Sequence, residues 1–289
     1  MRRIEYFAPE TVDEAVALLG RYGESVSILA GGTDLLVEIK HKVRTPDQLV
    51  NIKKIAGLVG LTYKQSAGLR IGALTTVRAV ETSQVIQEKY AGLAQAAQAL
   101  GSVQIRNRAT VAGNICRASP SADIPPPLMA DDATVRIYGP DGERVIALEN
   151  FFTGPGQTVL NTDEILIEII VPNPLPGTGK VYLKHGRRKA MELATVGAAV
   201  SLTLEEDICI RARVVLGAVA PTPIRVHEVE DVLQGIFIDE KVIGDAARIA
   251  MKVARPISDV RSSAEYRLQI TEIITKRAIT QALALAKTA

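Results

Sequence analysis

The sequence has little of several residue types on which whole classes of protein depend. Its 289 residues include no Trp, two Cys and three His, and aromatic residues make up 4% of the chain. So few aromatic side chains provide little surface for stacking on nucleic-acid bases. The net charge of +2 is also small, whereas a nucleic-acid-binding protein usually carries a strongly basic patch. The two cysteines, Cys116 and Cys209, are too few for an all-cysteine iron–sulfur cluster or a disulfide scaffold.

Long apolar runs are also missing. No stretch is long enough to cross a membrane, and residues 1–6 lack the apolar core of a signal peptide. Without a disulfide framework or a targeting segment, we expect a cytoplasmic protein that neither spans a membrane nor binds nucleic acid. An apolar content of 47% and a charged content of 23% are ordinary for a globular chain with a sizeable core.

The sequence does not predict a set of catalytic side chains or a metal site. His41, His185 and His227 are far apart, and no His/Cys cluster has metal-ligand spacing. No Ser has the context of a nucleophile elbow, and the carboxylates are scattered. Two glycine-bearing turns remain as candidate functional elements.

The first turn lies between a predicted strand and a predicted helix. The apolar run at 28–30 predicts the strand, Gly31 and Gly32 end it, and Thr33 and Asp34 offer N-cap oxygens to the helix that follows. Glycine lets backbone N–H groups approach a ligand, and a helix N-terminus favours an anion, so the layout is typical of a phosphate cradle. An ordinary strand-to-helix turn has the same layout, and the dinucleotide fingerprint G-x-G-x-x-G is absent.

The second turn, Thr110-Val-Ala-Gly-Asn114, places a hydroxyl, small residues and an amide close together. Small residues let the backbone come near a ligand, and Thr and Asn side chains can hydrogen-bond to phosphate or ribitol oxygens. Further on, Asp123 can accept a hydrogen bond from a hydroxyl. Two such turns can hold the two ends of one dinucleotide, although a tight turn between elements again explains each of them alone.

The pattern of the first 175 or so residues predicts mixed helix and sheet. Strands at 4–7, 28–30 and 49–52 alternate with two capped helices and predict a small β-α-β-α-β subdomain. Further expected elements are strands at 58–63, 69–71, 134–138, 144–147 and 164–171, helices from 75 and over 90–100, a rigid break at 125–127 and a loop at 151–154.

The pattern changes after the proline-rich stretch 172–177, which is the best linker in the chain. Predicted strands at 181–184, 195–204 and 208–216 form an antiparallel meander, and predicted helices follow at about 228–234, 240–253 and 262–286. A run of strands followed by a run of helices suggests a separate α+β domain. We therefore expect an α+β protein with one domain over 1–175, in subdomains of about 1–55 and 56–175, and another over 176–289.

Three short motifs, Ala30-Gly-Gly-Thr-Asp34, Gln104-Ile-Arg-Asn107 and Thr110-x-x-Gly-Asn114, together resemble one family. It is the FAD-binding medium subunit of the molybdenum hydroxylases, the family of xanthine dehydrogenase and carbon monoxide dehydrogenase. The resemblance covers nearly the whole chain. It implies an FAD-binding domain of the vanillyl-alcohol-oxidase (PCMH) type in two subdomains. A C-terminal domain like that of the carbon monoxide dehydrogenase flavoprotein, with antiparallel sheet plus helices, follows.

The resemblance also implies which residues contact FAD, and none of them acts as a catalytic acid or base. The first loop, around the pyrophosphate, consists of Leu29, Ala30, Gly31, Gly32, Thr33, Asp34, Leu35 and Leu36, and the second loop consists of Thr110, Val111, Ala112, Gly113 and Asn114. Asp123 is the acidic residue beyond the second loop. Leu100 and Leu166 are apolar contacts to the flavin, and Lys184 is a basic residue near its ring. A lysine there can stabilise the anionic reduced flavin, the alternative being a solvated lysine at a strand end.

The chain departs from the family at two points. Ala109 and Ala112 replace glycines that are common around the second loop, and alanine lacks the access of glycine to positive φ. The first loop reads Gly-Gly-Thr-Asp where carbon monoxide dehydrogenases typically have Gly-Gly-His-Ser. This difference favours the xanthine dehydrogenase-like and the N-heterocycle or aldehyde hydroxylases.

The resemblance implies an electron-transfer flavoprotein with noncovalent FAD. Substrate would be oxidised at a molybdopterin centre on a large partner subunit, and electrons would pass through [2Fe–2S] clusters on a small subunit to FAD and then to NAD⁺, a quinone or oxygen. A dimer of heterotrimers is implied as well. Two alternatives stay open: a self-contained flavin oxidase or dehydrogenase of the same fold, and an assembly scaffold without flavin, against which the intact Gly31-Gly32 and Gly113-Asn114 argue.

Overall fold

The computed structural model describes residues 3–289, and it begins with the small parallel sheet that the sequence predicts. Thr11 caps the first helix by accepting a hydrogen bond from the Glu14 N–H, and the helix buries an apolar stripe against the sheet. The strand order is β1-β3-β2, and both pairings are parallel. The elements are β1 (Glu5–Phe7), α1 (Val12–Tyr22), β2 (Val26–Leu29), α2 (Leu35–Lys40) and β3 (Gln48–Asn51).

A larger unit follows, built on a five-stranded antiparallel sheet with the order β4-β5-β10-β6-β7. Helices on one side of this sheet enclose a core that includes Tyr90, Leu93 and Phe151. The elements are β4 (Leu61–Lys64), β5 (Gly68–Gly72), α3 (Val77–Thr82), α4 (Gln84–Lys89), α5 (Ala91–Ala99), α6 (Val103–Arg106), α7 (Val111–Arg117), α8 (Pro125–Ala130), β6 (Thr134–Gly139), β7 (Gly142–Ala147), β8 (Phe152–Gly154), β9 (Gln157–Thr158) and β10 (Ile165–Val171).

Two local predictions in this unit are wrong. The prolines at 125–127 do not break the chain but begin helix α8, because the first turn of a helix has no use for the missing N–H and fits the fixed φ of proline. The segment 151–154 is not only a loop. Its last three residues form β8, which pairs with β9 in a short two-stranded sheet.

The last unit is the predicted antiparallel meander followed by three helices. Its strand order is β11-β12-β13-β14. Helix α11 packs very close to β11, since a Cβ on Gly179 would lie 2.0 Å from the carbonyl oxygen of Ala282. The elements are β11 (Thr178–His185), β12 (Val196–Glu205), β13 (Ile208–Gly217), β14 (Ile224–Arg225), α9 (His227–Leu233), α10 (Glu240–Val253) and α11 (Ala264–Ala286).

The second and third units share an interface that is both apolar and charged. Tyr182, Ala199 and Val215 of the last sheet join the core of the larger unit. The buried Lys180 ammonium lies 2.7 Å from Asp131, and Asp132 bonds to arginines of β13. Within residues 3–289, no helix is long and apolar enough to cross a membrane. The α+β architecture expected from the sequence is confirmed.

Candidate cofactor site

The first glycine turn connects β2 to α2, as the sequence predicts. Gly32 has φ +76°, a conformation that favours glycine. The prediction that Asp34 caps the helix with its side-chain oxygen is wrong. Asp34 occupies the N-cap position, but its φ of −96° and ψ of −53° are helical and its side chain makes no capping hydrogen bond, whereas a capping residue has an extended backbone.

This turn lies directly against the chain that leads into the second turn. A Cβ placed on Gly31 would lie 2.2 Å from the carbonyl oxygen of Arg108 and 3.0 Å from the Cα of Ala109, so only glycine fits at this position. Thr110 follows at once in the chain. The structure therefore brings together two turns that are almost eighty residues apart in the sequence.

The second turn is the start of helix α7. Thr110 has an extended backbone, and its Oγ1 accepts a hydrogen bond from the Gly113 N–H at 3.0 Å. Ala109 and Ala112 are both buried and neither has a positive φ. Alanine at these positions is therefore compatible with the backbone observed here.

Beside the two turns, Asn114 has an unused hydrogen-bond acceptor. Its Oδ1 is buried and has no hydrogen-bond partner among the described residues. A buried acceptor without a partner is costly, and a hydroxyl of a bound ligand would satisfy it. This atom, together with the glycine cradle next to it, fits a ligand rich in hydroxyl and phosphate groups such as FAD.

Lys53 supports the first turn, and the sequence analysis did not find it. Its Nζ donates to the Ala30 carbonyl oxygen at 2.8 Å and to Asn51 Oδ1 at 2.9 Å. Burial, and to a lesser extent the nearby Arg108, lowers the pKa of Lys53. A lysine just after a strand carries no cofactor signal in the sequence, because its role depends on a contact with a carbonyl 23 residues away.

A second group of predicted residues meets where β11 crosses the end of α5. Lys184 Nζ donates to Asp123 Oδ2 at 2.8 Å and to the Ala99 carbonyl oxygen at 3.0 Å. Tyr182, on the same strand, donates its hydroxyl to Asp123 Oδ1 at 2.7 Å. The side chains of Asp123 and Lys184 are only 5% and 12% exposed, so the alternative of a solvated lysine is wrong.

The electrostatics of this group are set by burial. Burial raises the pKa of Asp123, and the Lys184 charge and the hydrogen bonds from Lys184 and Tyr182 oppose that rise. The pKa of the Tyr182 hydroxyl is raised well above its ordinary value by its own burial and by Asp123. Tyr182 is a further residue that the sequence analysis missed. Its backbone N–H is fixed by Gln95 Oε1 at 2.7 Å.

The two predicted apolar contacts lie near these groups. Leu100 follows Ala99 at the end of α5 and is buried, and its carbonyl oxygen accepts from the buried Arg106 at 3.0 Å. Leu166 lies on β10, against which α7 packs, and it is buried in the same core cluster as Leu100. The remaining first-loop residues are more exposed, and Leu36 is 50% exposed.

Comparison with known proteins decides the family. A family described as "FAD binding domain in molybdopterin dehydrogenase" matches residues 2–174, and one described as "CO dehydrogenase flavoprotein C-terminal domain" matches residues 181–282. The chain belongs to the family of FAD-binding medium subunits of molybdenum hydroxylases. FAD is therefore its cofactor, and the chain is a flavoprotein oxidoreductase subunit.

Individual relatives align with this chain over almost its whole length. The carbon monoxide dehydrogenase medium chain of Hydrogenophaga pseudoflava is 35% identical, with 98% of each chain covered. The xanthine dehydrogenase FAD-binding subunit of Escherichia coli O157:H7 is 33% identical, covering 97% of this chain and 96% of the other. Because the two identities are so close, the preference for a xanthine dehydrogenase-like holoenzyme stays a prediction.

Solved structures agree with this assignment. A carbon monoxide dehydrogenase from Hydrogenophaga pseudoflava, lacking the Mo-pyranopterin moiety of its molybdenum cofactor, matches with a TM-score of 0.94. The identity is 35%, and 98% of each chain is covered.

Among the described residues of the present chain, no group of three or more His, Cys, Asp or Glu side chains can hold a metal ion.

Proposed function

We propose that this FAD-binding subunit transfers electrons within a molybdenum hydroxylase. Electrons from substrate oxidation at a molybdopterin centre on a large subunit pass through [2Fe–2S] clusters on a small subunit, and FAD here delivers them to NAD⁺, a quinone or another acceptor. The observation that carries the proposal is the close approach of Gly31 to Arg108, just before the second glycine turn, together with Asn114 Oδ1, which is buried and has no hydrogen-bond partner among residues 3–289.

We further propose that the two loops hold the dinucleotide part of FAD. Residues 29–36 and 110–114 supply small side chains and backbone groups that let a pyrophosphate come close. Asn114 Oδ1 is free to accept from a ribitol hydroxyl. Lys53 holds the first loop by its hydrogen bond to the Ala30 carbonyl oxygen and leaves the backbone N–H groups of the turn for the ligand.

The second group of residues is proposed to serve the flavin ring. Leu100 and Leu166 offer apolar contacts, and Lys184 places a cation nearby. Because Asp123 accepts a hydrogen bond from this ammonium, the pair is close to neutral overall, and Lys184 acts on the flavin as a partly compensated charge. No side chain of the pair is left to act as a free general base, which supports electron transfer over a self-contained oxidase.

The partner subunits and the domain division belong to the same proposal. The relatives are named as subunits and medium chains, which supports large and small partner subunits. We place this complex in the cytoplasm, as a dimer of heterotrimers, as part of the same proposal. The ends of the two family matches, at 174 and 181, support domains of 1–175 and 176–289.

The test is to purify the tagged full-length chain from its native host and to measure the molybdenum, iron and FAD of the complex. We expect about one FAD per chain, with molybdenum and iron on co-purified subunits. After reduction with dithionite, the FAD of the complex should be reoxidised by NAD⁺ or a quinone. Substrate turnover by the chain alone, free of partners, would contradict the proposal and favour the self-contained oxidase.

A further inference from the structure

A short helix, α2, follows the first glycine turn, and another, α7, begins within the second, and these helices differ in how firmly they are packed. Helix α7 contains the buried residues Val111, Ala112 and Ile115. Helix α2 contains no buried residue, and Leu36 and Val37 on it are about half exposed. Because helices in proteins owe most of their stability to packing, α2 needs another interaction to hold its position relative to α7.

One ion pair connects the two helices. Arg117, at the end of α7, places Nη2 2.8 Å from Oε1 of Glu38 on α2. The side chain of Glu38 is only 15% exposed, while that of Arg117 is 41% exposed. The other carboxylate oxygen of Glu38 lies 3.5 Å from Nε of Arg44, which belongs to the same segment as α2. Glu38 therefore makes one ion pair within its own segment and one to the helix of the second turn.

Arg117 is itself held at a fixed place. The chain turns sharply after it, at Ala118 with φ +48°, and the Ala118 carbonyl oxygen accepts from the Gly156 N–H at 2.9 Å. This bond connects the end of α7 to the tight turn between β8 and β9. A Cβ on Gly156 would lie 3.5 Å from Arg117 Nη1, so the guanidinium rests against that turn. The well-packed helix α7 thus carries the arginine, and the more exposed helix α2 carries the carboxylate.

We propose that the Glu38–Arg117 ion pair is a latch that positions the first loop against the second and slows the release of FAD. The inference rests on the proposed FAD-binding role of the two loops. Both residues act through the loops and are positioning residues. A half-exposed ion pair contributes little free energy, so the expected effect is about a two- to fivefold rise in the FAD dissociation constant, mainly through faster release.

The experiment is a double-mutant cycle on the full-length chain, with FAD affinity and the rate of FAD release both measured by flavin fluorescence at low ionic strength. R117M and E38Q should each weaken FAD binding about two- to fivefold, and E38Q/R117M should be no weaker than the weaker single variant. The charge exchange E38R/R117E should restore part of the affinity. High salt should reduce the difference between the wild type and R117M.

R44M is the matched control, because it removes the other arginine on Glu38 without touching α7. It should bind FAD as the wild type does. Additive losses in the double variant, no rescue by the exchange, or an equal loss in R44M would overturn the latch. If the wild type binds FAD and neither single variant binds it more weakly, the latch is overturned but the assignment of the two loops to FAD stands. If the wild type does not bind FAD, the assignment of the loops is itself refuted.

Discussion

Lys184 and Asp123, 61 residues apart in the sequence, form a buried ion pair of 2.8 Å that joins the C-terminal sheet to the larger unit. The lysine comes from β11, and the aspartate lies between helices α7 and α8 of the larger unit. Tyr182 completes the group by donating its hydroxyl to the same carboxylate. The residue proposed to face the flavin is thus also part of the contact between the two units.

Breaking this pair should make the free energy of unfolding depend more strongly on pH. Lys184→Met leaves the buried Asp123 without its cation, and we expect a loss of about 3–5 kcal/mol at pH 7. Burial already raises the pKa of Asp123, and loss of Lys184 raises it further. A carboxyl with a raised folded-state pKa stabilises the fold fully only below its unfolded pKa of about 4. Stability of K184M should therefore fall as the pH rises through the folded pKa.

The measurement is urea unfolding at several pH values between 4.5 and 7.5. The matched control is D123N/K184M, which buries no charge at this position and should lose the added pH dependence. If K184M lowers the free energy of unfolding by the same amount at pH 4.5 and at pH 7.5, the buried Asp123 carboxylate is not the cause of the loss.

The same pair should set the potential of the flavin. Asp123→Asn leaves the Lys184 charge uncompensated, and a stronger positive charge near the ring favours the anionic reduced flavin. We expect the midpoint potential to rise by about 30 mV, which corresponds to about 1.4 kcal/mol for a two-electron couple. D131N, which breaks the parallel Lys180–Asp131 pair of 2.7 Å, should leave the potential unchanged. A potentiometric titration in which both variants shift alike would argue against a specific role for Lys184.

Gly31 should tolerate no side chain. In G31A the new Cβ meets the Arg108 carbonyl oxygen, so the first loop must move away from the second. We expect a stability loss of about 1–3 kcal/mol and at least about a tenfold weaker FAD affinity. G60A is the control, because a Cβ on Gly60 would have no atom of residues 3–289 within 4 Å. Unchanged FAD affinity in a fluorescence titration of G31A would show that the close approach of the loops does not serve the cofactor.

We expect the Thr110 cap to contribute to both protein stability and FAD affinity, whereas a helix cap far from the two turns should contribute to stability alone. Thr110→Ala removes the oxygen that accepts from the Gly113 N–H, at a cost of about 1 kcal/mol. S263A removes the equivalent cap of α11, where Ser263 Oγ accepts from the Tyr266 N–H. Urea unfolding should show similar losses for the two variants, and only T110A should weaken FAD binding. If T110A and S263A bind FAD with equal affinity, the start of α7 is not part of the cofactor site.

The sequence predicted the elements well where one local rule governs them. The strands predicted at 181–184, 195–204 and 208–216 correspond to β11 to β13, and helix periodicity with caps such as Thr11 predicted α1 and the C-terminal helices. Errors arose where a residue type has two uses. Proline breaks a helix interior but starts a first turn at Pro125, and Asp34 sits at a helix start without capping it.

The candidate site was predictable only as a set of separate pieces. Its two glycine turns are visible as motifs, and a family resemblance places FAD on them. The contacts that bring the pieces together are long-range, and no local pattern encodes them. Gly31 against Arg108, Lys53 on Ala30, Tyr182 on Asp123 and Glu38 with Arg117 each join segments far apart in the chain.

The most direct test of the account is the visible absorption spectrum of the purified chain, before and after acid precipitation. We expect the spectrum of oxidised flavin, with the colour moving to the supernatant, because the two loops hold FAD without a covalent bond. A colourless chain that takes up no added FAD would contradict the account. Colour that stays with the pellet would contradict the noncovalent cradle and favour a self-contained oxidase.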